Sequence, residues 1–205
     1  MINRFPLTIL VVIAIGIHAL VLSRHGWVIP LSFFSPLSVV VSILSLFLLV
    51  FDKWAWAWSL VRRIAKRPDL RGTWKGDLRS SWQDPDMKLS GKPIEAYVVI
   101  RQTASCVYVR LMTEDSHSMS VATSLVLEAD GAHVLSSIYR NESRLSKRAD
   151  SPMHHGGLIL HLSGLPVQRM SGHYWTDRKS DGEIELQRIS GKAVDDFQAA
   201  RALIS

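Results

Sequence analysis

Ile94–Thr113 reads IEAYVVIRQTASCVYVRLMT. Ile94, Ala96, Val98, Ile100 and Gln102 alternate with Glu95, Tyr97, Val99 and Arg101. After a Thr103–Ser105 turn, Val107, Val109 and Leu111 share one face of Cys106–Thr113. Period-two patterning of this kind marks half-buried strands, and so short a turn joins antiparallel neighbours. Upstream, Thr73, Lys75, Asp77, Arg79 and Ser81 alternate with Trp74, Gly76, Leu78 and Ser80. Downstream, Ser118–Glu128 carries Met119, Val121, Thr123, Leu125 and Leu127 on one side. Ala129-Asp130-Gly131 is a tight-turn signal into Ala132–Arg140. Asn141–Met153 reads as a charged, proline-containing loop. Gly157–Ser163, Met170–Asp177 and Glu183–Ile189 complete eight strands, and a short helix over Ala193–Leu203 closes the chain.

No connection is long enough for a βαβ crossover, so the sheet is antiparallel. The expected fold is an eight-stranded antiparallel up-and-down, lipocalin-like barrel, which removes exposed edges. A sandwich is the structural alternative. Such a barrel is filled by its own side chains or holds one small ligand. Gly72, Gly76, Gly157 and Gly172 either free volume inside it or mark the bends that close it.

Ahead of the strands the pattern is different. Phe5–Ser23 has only His18 ionisable, and Leu31–Phe51 has no charge. Each is long enough to cross a bilayer as a helix. Arg24–Pro30 leaves room only for a turn, and Ser35-Pro36 looks like an N-cap with proline at the first helical position. The segment divides as an α-helical transmembrane hairpin over 1–52, a basic, Trp-rich linker over 53–68 and a β-domain over 69–205. The alternative for the first segment is a cleaved signal peptide, but it lacks an Ala-x-Ala site. Ser35, Ser38, Ser42 and Ser45, spaced 3, 4, 3, share a helix face suited to membrane oligomerisation or to packing within the hairpin. His18 reads as a neutral partner of a neighbouring serine.

The charge of +6 resides in the first third. Up to Pro68 there are seven Lys/Arg and one acid, Asp52; after it, 17 of each sign cancel. Lys53, Arg62, Arg63, Lys66 and Arg67 follow the second span, so the positive-inside rule puts both termini in the cytoplasm of a two-pass inner-membrane protein. Trp54, Trp56 and Trp58 suit an interfacial belt, and residues 54–67 an interfacial helix on anionic lipid. A neutral β-domain removes the electrostatic support for a DNA or RNA polymer as partner. One cysteine, Cys106, excludes an internal disulfide.

Phosphate-loop, GxSxG and HExxH motifs are absent, leaving no catalytic constellation. His154-His155-Gly156-Gly157, with His161 and His173, lacks a metal-ligand pattern and reads as a solvent-facing loop pair. Asp177 and Asp181 read as parts of a polar hairpin loop. No cofactor or metal is expected. In Gly172–Gly182, GHYWTDRKSDG, alternation brings Tyr174, Thr176 and Arg178 to one face. An arginine fork suits phosphate and aromatic rings stack on bases, which is equipment for a flat anionic ligand. A rim cluster held by local hydrogen bonds is the plainer alternative.

Leu70-Arg71-Gly72-Thr73-Trp74-Lys75-Gly76, Tyr139-Arg140-Asn141 followed by His155-Gly156-Gly157, and Tyr174–Arg178 ending at Gly182 resemble motifs of bacterial CBASS effectors. These are two-transmembrane, β-strand-rich, CD-NTase-associated membrane effectors. The resemblance implies a cytoplasmic barrel that binds a cyclic dinucleotide made by a partner CD-NTase, the cyclic nucleotide synthase. It further implies oligomerisation, disruption of the lipid bilayer and abortive infection. Trp74, Tyr139, Asn141, Tyr174, Thr176 and Arg178 are the candidate ligand-binding residues. The alternative function is a membrane-tethered, lipocalin-like carrier of an apolar molecule.

Overall fold

The computed structural model describes residues 16, 20, 24, 36–80, 93–149 and 151–204. The chain divides into two units, Met1–Ala65 and Lys66–Ser205.

In the first unit, helix α1 (Pro36–Lys53) opens on the expected proline and ends on a basic residue. Its apolar side chains, among them Ile43, Leu46 and Phe47, are exposed. Among the described residues, no helix is long and apolar enough to cross a membrane. The expected first span, Phe5–Ser23, lies almost wholly outside the described residues, as does Ser35. The stretch expected as one interfacial helix is broken. A single 3-10 turn (Ala55–Ala57) ends at Trp58, whose backbone is extended, before α2 (Ser59–Ala65).

The second unit is a closed barrel in which each strand pairs with its sequence neighbours and β1 pairs with β8. The strands are β1 (Gly72–Ser80), β2 (Ile94–Gln102), β3 (Val107–Met112), β4 (Ser116–Leu127), β5 (His133–Ser143), β6 (His154–Ser163), β7 (Arg169–Thr176) and β8 (Asp181–Ser190). Every ladder is antiparallel. One departure from simple alternation is in β4. Register shifts between Ser120 and Ala122, so Val121 is an extra residue. Such a bulge reverses the phase of the faces. Ser118 is therefore buried on one side of it, while Thr123 meets Ser137 and Leu125 packs on the core on the other. The single face expected for Met119 through Leu127 does not exist.

Strand β2 is buried at six of its nine positions, on both of its faces. Its inner residues Val98 and Ile100 enter the barrel core, whereas outward Tyr97 and Val99 join a second cluster with Val194, Phe197 and Ala200. The last two belong to α3 (Phe197–Arg201), shorter than the expected helix because Asp196 caps it, accepting from the Ala199 amide at 2.8 Å. Burial and the Glu95 carboxylate push the Tyr97 phenol up to about 12.

One end of the barrel is filled. Trp74 is fully buried, with Ile100, Leu135, Leu160 and Met170 in the same cluster. Its indole donates to the Leu70 carbonyl at 3.0 Å, and the Arg188 guanidinium lies 5.6 Å from the ring centroid. Arg188 also donates to the carbonyls of Asp69 and Arg71. Gln102 accepts from the Leu70 amide at 2.9 Å and donates to the Pro68 carbonyl at 3.0 Å. The incoming chain is thus bonded across the end that Trp74 closes.

Truncating that side chain removes both packing and an internal hydrogen bond. Trp74→Ala should cost about 3–5 kcal/mol of stability, read as the unfolding free energy of the purified chain in urea. A loss near zero would mean that the ring does not hold this end together.

Candidate functional site

The opposite end is hollow. A cavity of about 580 Å3 lies where β1 finishes and where the β3–β4, β5–β6 and β7–β8 connections gather. Inward positions change character along the barrel axis. On β5, Leu135 is core, while Ser137, Tyr139, Asn141 and Ser143 line the cavity. On β7, Met170 is core, while Tyr174 and Thr176 line it.

Two glycines shape the wall. Tyr139 stands opposite Gly156 in the β5–β6 register, and Tyr174 opposite Gly182 in the β7–β8 register. A Cβ on Gly156 would come within 2.4 Å of the Tyr139 hydroxyl, and one on Gly182 within 2.6 Å of the Tyr174 ring. Each ring therefore lies across bare backbone on the neighbouring strand. Burial pushes both phenols above their ordinary range, so both stay neutral donors at physiological pH. The Tyr139 hydroxyl donates to the Trp175 carbonyl at 3.4 Å.

Thr176 and Arg178 are joined by the β7–β8 turn. The Thr176 hydroxyl meets Ser180 Oγ at 2.7 Å and accepts from the amides of Arg178 and Ser180, each at 3.3 Å. Asp177 accepts from the His155 amide at 3.0 Å and its own amide donates to the His155 carbonyl at 2.9 Å. Lys179 takes the left-handed backbone, φ 60°, that lets the turn close. The turn is thereby fixed from both sides, and Arg178 lines the cavity from it. Lys147 adds a second cation to the lining and Asp115 an anion. Their loops are tied where the Arg144 amide donates to the Asp115 carbonyl at 2.9 Å.

Five of the six residues singled out as ligand-binding from sequence, Tyr139, Asn141, Tyr174, Thr176 and Arg178, line this one cavity. Trp74 does not, because it occupies the filled end as core. Asn141 corrects a boundary. It is not the start of a loop but a buried residue within β5, which runs on to Ser143. The signal was present in the continued alternation Ser137, Tyr139, Asn141, Ser143. His154 corrects another reading. It is not solvent-facing but buried at the start of β6, opposite Asn141 and lining the cavity. Only His155 of the pair is exposed. Ser80 and Ser118 also line the cavity and stood out in no motif, as does Ser180 from within the Gly172–Gly182 stretch. Among the described residues no cluster of His, Cys, Asp and Glu could hold a metal ion.

Burial holds the His154 imidazole below its ordinary 6.5, and Arg178 pushes the same way, against the opposing pull of the Pro152 carbonyl and Asp177. Between the folded and unfolded values the unfolded chain binds more protons. Stability that is complete above about pH 6.5 therefore falls as the pH drops through that window. NMR titration of the His154 ring should give a midpoint below 6.5, and His154→Gln should flatten this part of the stability profile. A midpoint above 6.5 would contradict it.

The barrel and its hollow end fall within a known domain. The Cap15 cyclic dinucleotide receptor domain matches residues 65–188, from the chain just ahead of the barrel to β8. Over 164 residues the chain is 23% identical to CD-NTase-associated protein 15 of Staphylococcus schleiferi, covering 80% of this chain and 81% of that protein. The domain match takes in more than half of the sequence, and the chain belongs to the Cap15 cyclic dinucleotide receptor family.

Proposed function

We propose that this chain is an antiphage CBASS effector whose barrel binds a cyclic dinucleotide in the hollow end. The observation that carries the reading is the pairing of two tyrosine rings with Arg178 in one cavity of a Cap15 receptor barrel. Its volume, about 580 Å3, lies within the roughly 300–1,000 Å3 usual for small-ligand sites. The rings offer faces to bases, and the arginine offers a fork to phosphate. A carrier of apolar molecules is disfavoured, because Asn141, Ser143 and Thr176 would then be desolvated against hydrocarbon.

Binding has no chemical output in this reading. The chain is not an enzyme, and the ligand, supplied by a CD-NTase, acts by bringing chains together. The N-terminal segments form a two-span anchor in the inner membrane, with the barrel in the cytoplasm. Assembly concentrates these segments, and weak contacts between spans add up until the bilayer is breached. One interhelical hydrogen bond contributes only about 0.6 kcal/mol on average. Unliganded chains therefore stay apart.

Arg178→Ala should weaken cyclic dinucleotide binding by about 1.5–3 kcal/mol, read by calorimetry on the full chain. Circular dichroism should stay unchanged. Wild-type affinity in the folded variant would place the phosphate elsewhere. Replacing Ser38 and Ser42 by leucine should preserve binding and membrane insertion but abolish dye uptake by cells making the activating nucleotide. Undiminished uptake would assign assembly to the barrels alone.

A further inference from the structure

A cyclic dinucleotide carries two phosphodiesters on opposite sides of its ring, and one guanidinium fork engages one of them. Arg178, on the β7–β8 turn, therefore answers half of the ligand's charge. Among the described residues, the cavity lining holds one other lysine or arginine, Lys147. It comes from the preceding connection at the same end of the barrel, β5–β6, which carries Arg144, Lys147 and Arg148. Of these three cations only Lys147 lines the cavity. Arg144 lines a separate groove with Arg110 and Asp195.

The local backbone makes this selection. Leu145–Lys147 is a 3-10 turn. The Lys147 amide donates to the Arg144 carbonyl at 2.9 Å, and the Lys147 carbonyl accepts from the Ser151 amide at 2.9 Å. The Arg144 amide is bonded in turn to the Asp115 carbonyl. Lys147 is thus held through both of its peptide groups, on a connection tied to the β3–β4 turn, and its exposed side chain keeps its freedom. Among the described residues its ammonium makes no ion pair, although the Asp115 carboxylate lines the same cavity. Asp115 repels phosphate, so the cations of the lining are where anionic groups settle.

We infer that Lys147 binds the second phosphate of the cyclic dinucleotide, as the counterpart of Arg178. This inference rests on the cyclic dinucleotide reading above. The two cations divide the work by their chemistry. The planar fork of Arg178, on a turn fixed from both sides, sets the orientation of one phosphate. Lys147 is a point charge on a flexible stem with three rotatable donors, and it reaches the other phosphate wherever the ring places it.

The test is calorimetry of the full chain in detergent with cyclic di-AMP, cyclic di-GMP, cyclic di-UMP, cyclic GMP–AMP and cyclic UMP–AMP, continued with the one bound most tightly. Lys147→Gln should weaken that ligand roughly five- to tenfold, between an exposed ion pair and a charge-assisted contact out of water. Lys147→Arg keeps the charge and should keep most of the affinity. Arg148→Gln removes the same charge one residue further on, from a side chain that does not line the cavity, and should change nothing. Phosphorus NMR of the bound ligand should show one of its two signals moved by Lys147→Gln and the other left in place. Wild-type affinity in Lys147→Gln, an equal loss in Arg148→Gln, or two unmoved signals overturns the role of Lys147 and leaves the receptor reading intact. Failure of the wild-type chain to bind any of the five overturns both together.

Discussion

The β1–β8 ladder is the constraint on which the rest depends. It runs from Thr73 opposite Ser190 to Ser80 opposite Gly182 and turns a sheet into a tube. Once the tube is closed, its circumference is fixed, and side chains must fill whatever interior remains or leave it empty. Close approach at the seam requires Gly76, whose Cβ would lie 2.0 Å from the Glu185 carbonyl oxygen. Both ends of the molecule follow from this closure. Trp74 and its neighbours occupy one half, and shorter polar side chains leave the other half open.

The open half is ordered without being filled. Thr176 ties the turn that carries Arg178, the two serines ahead of β4's bulge fix the Asn141 amide, and glycines opposite each tyrosine settle where the rings lie. These supports come from strands adjacent in the barrel, so the wall below the rim loops is held by paired backbone. A wall of that kind favours a preorganised site, in which little conformational freedom is lost when a ligand arrives.

Much of this was legible in the sequence. Alternation in β2 and β3 and the short turns gave the antiparallel barrel, and the pattern in Gly172–Gly182 brought Tyr174, Thr176 and Arg178 together. Three residues were misplaced for different physical reasons. Trp74 was singled out by the Leu70–Gly76 resemblance, but its ring packs in the core and its N–H is satisfied by a main-chain carbonyl four residues back. Asn141 looked like a loop residue because asparagine favours turns in isolation; two serine hydroxyls from β4 make it acceptable inside a strand. His154 sits beside an exposed histidine and two glycines, and only strand pairing reveals that it faces inward. The bulge at Val121 has no compositional signature, because it arises from register with β5 rather than from any residue type.

The way the chain joins the filled end has a mechanical consequence. Gln102 on β2 grips Pro68 and Leu70, Arg188 on β8 grips Asp69 and Arg71, and His133 on β5 donates to the Lys66 carbonyl at 2.7 Å. Tension applied upstream of Lys66 is distributed over three strands before it reaches Gly72. The load then meets several bonds in parallel, as in a riveted lap joint, instead of opening the β1 ladder one rung at a time. The barrel's N-terminal attachment is a stiff mount, and a tug on it displaces the receptor whole.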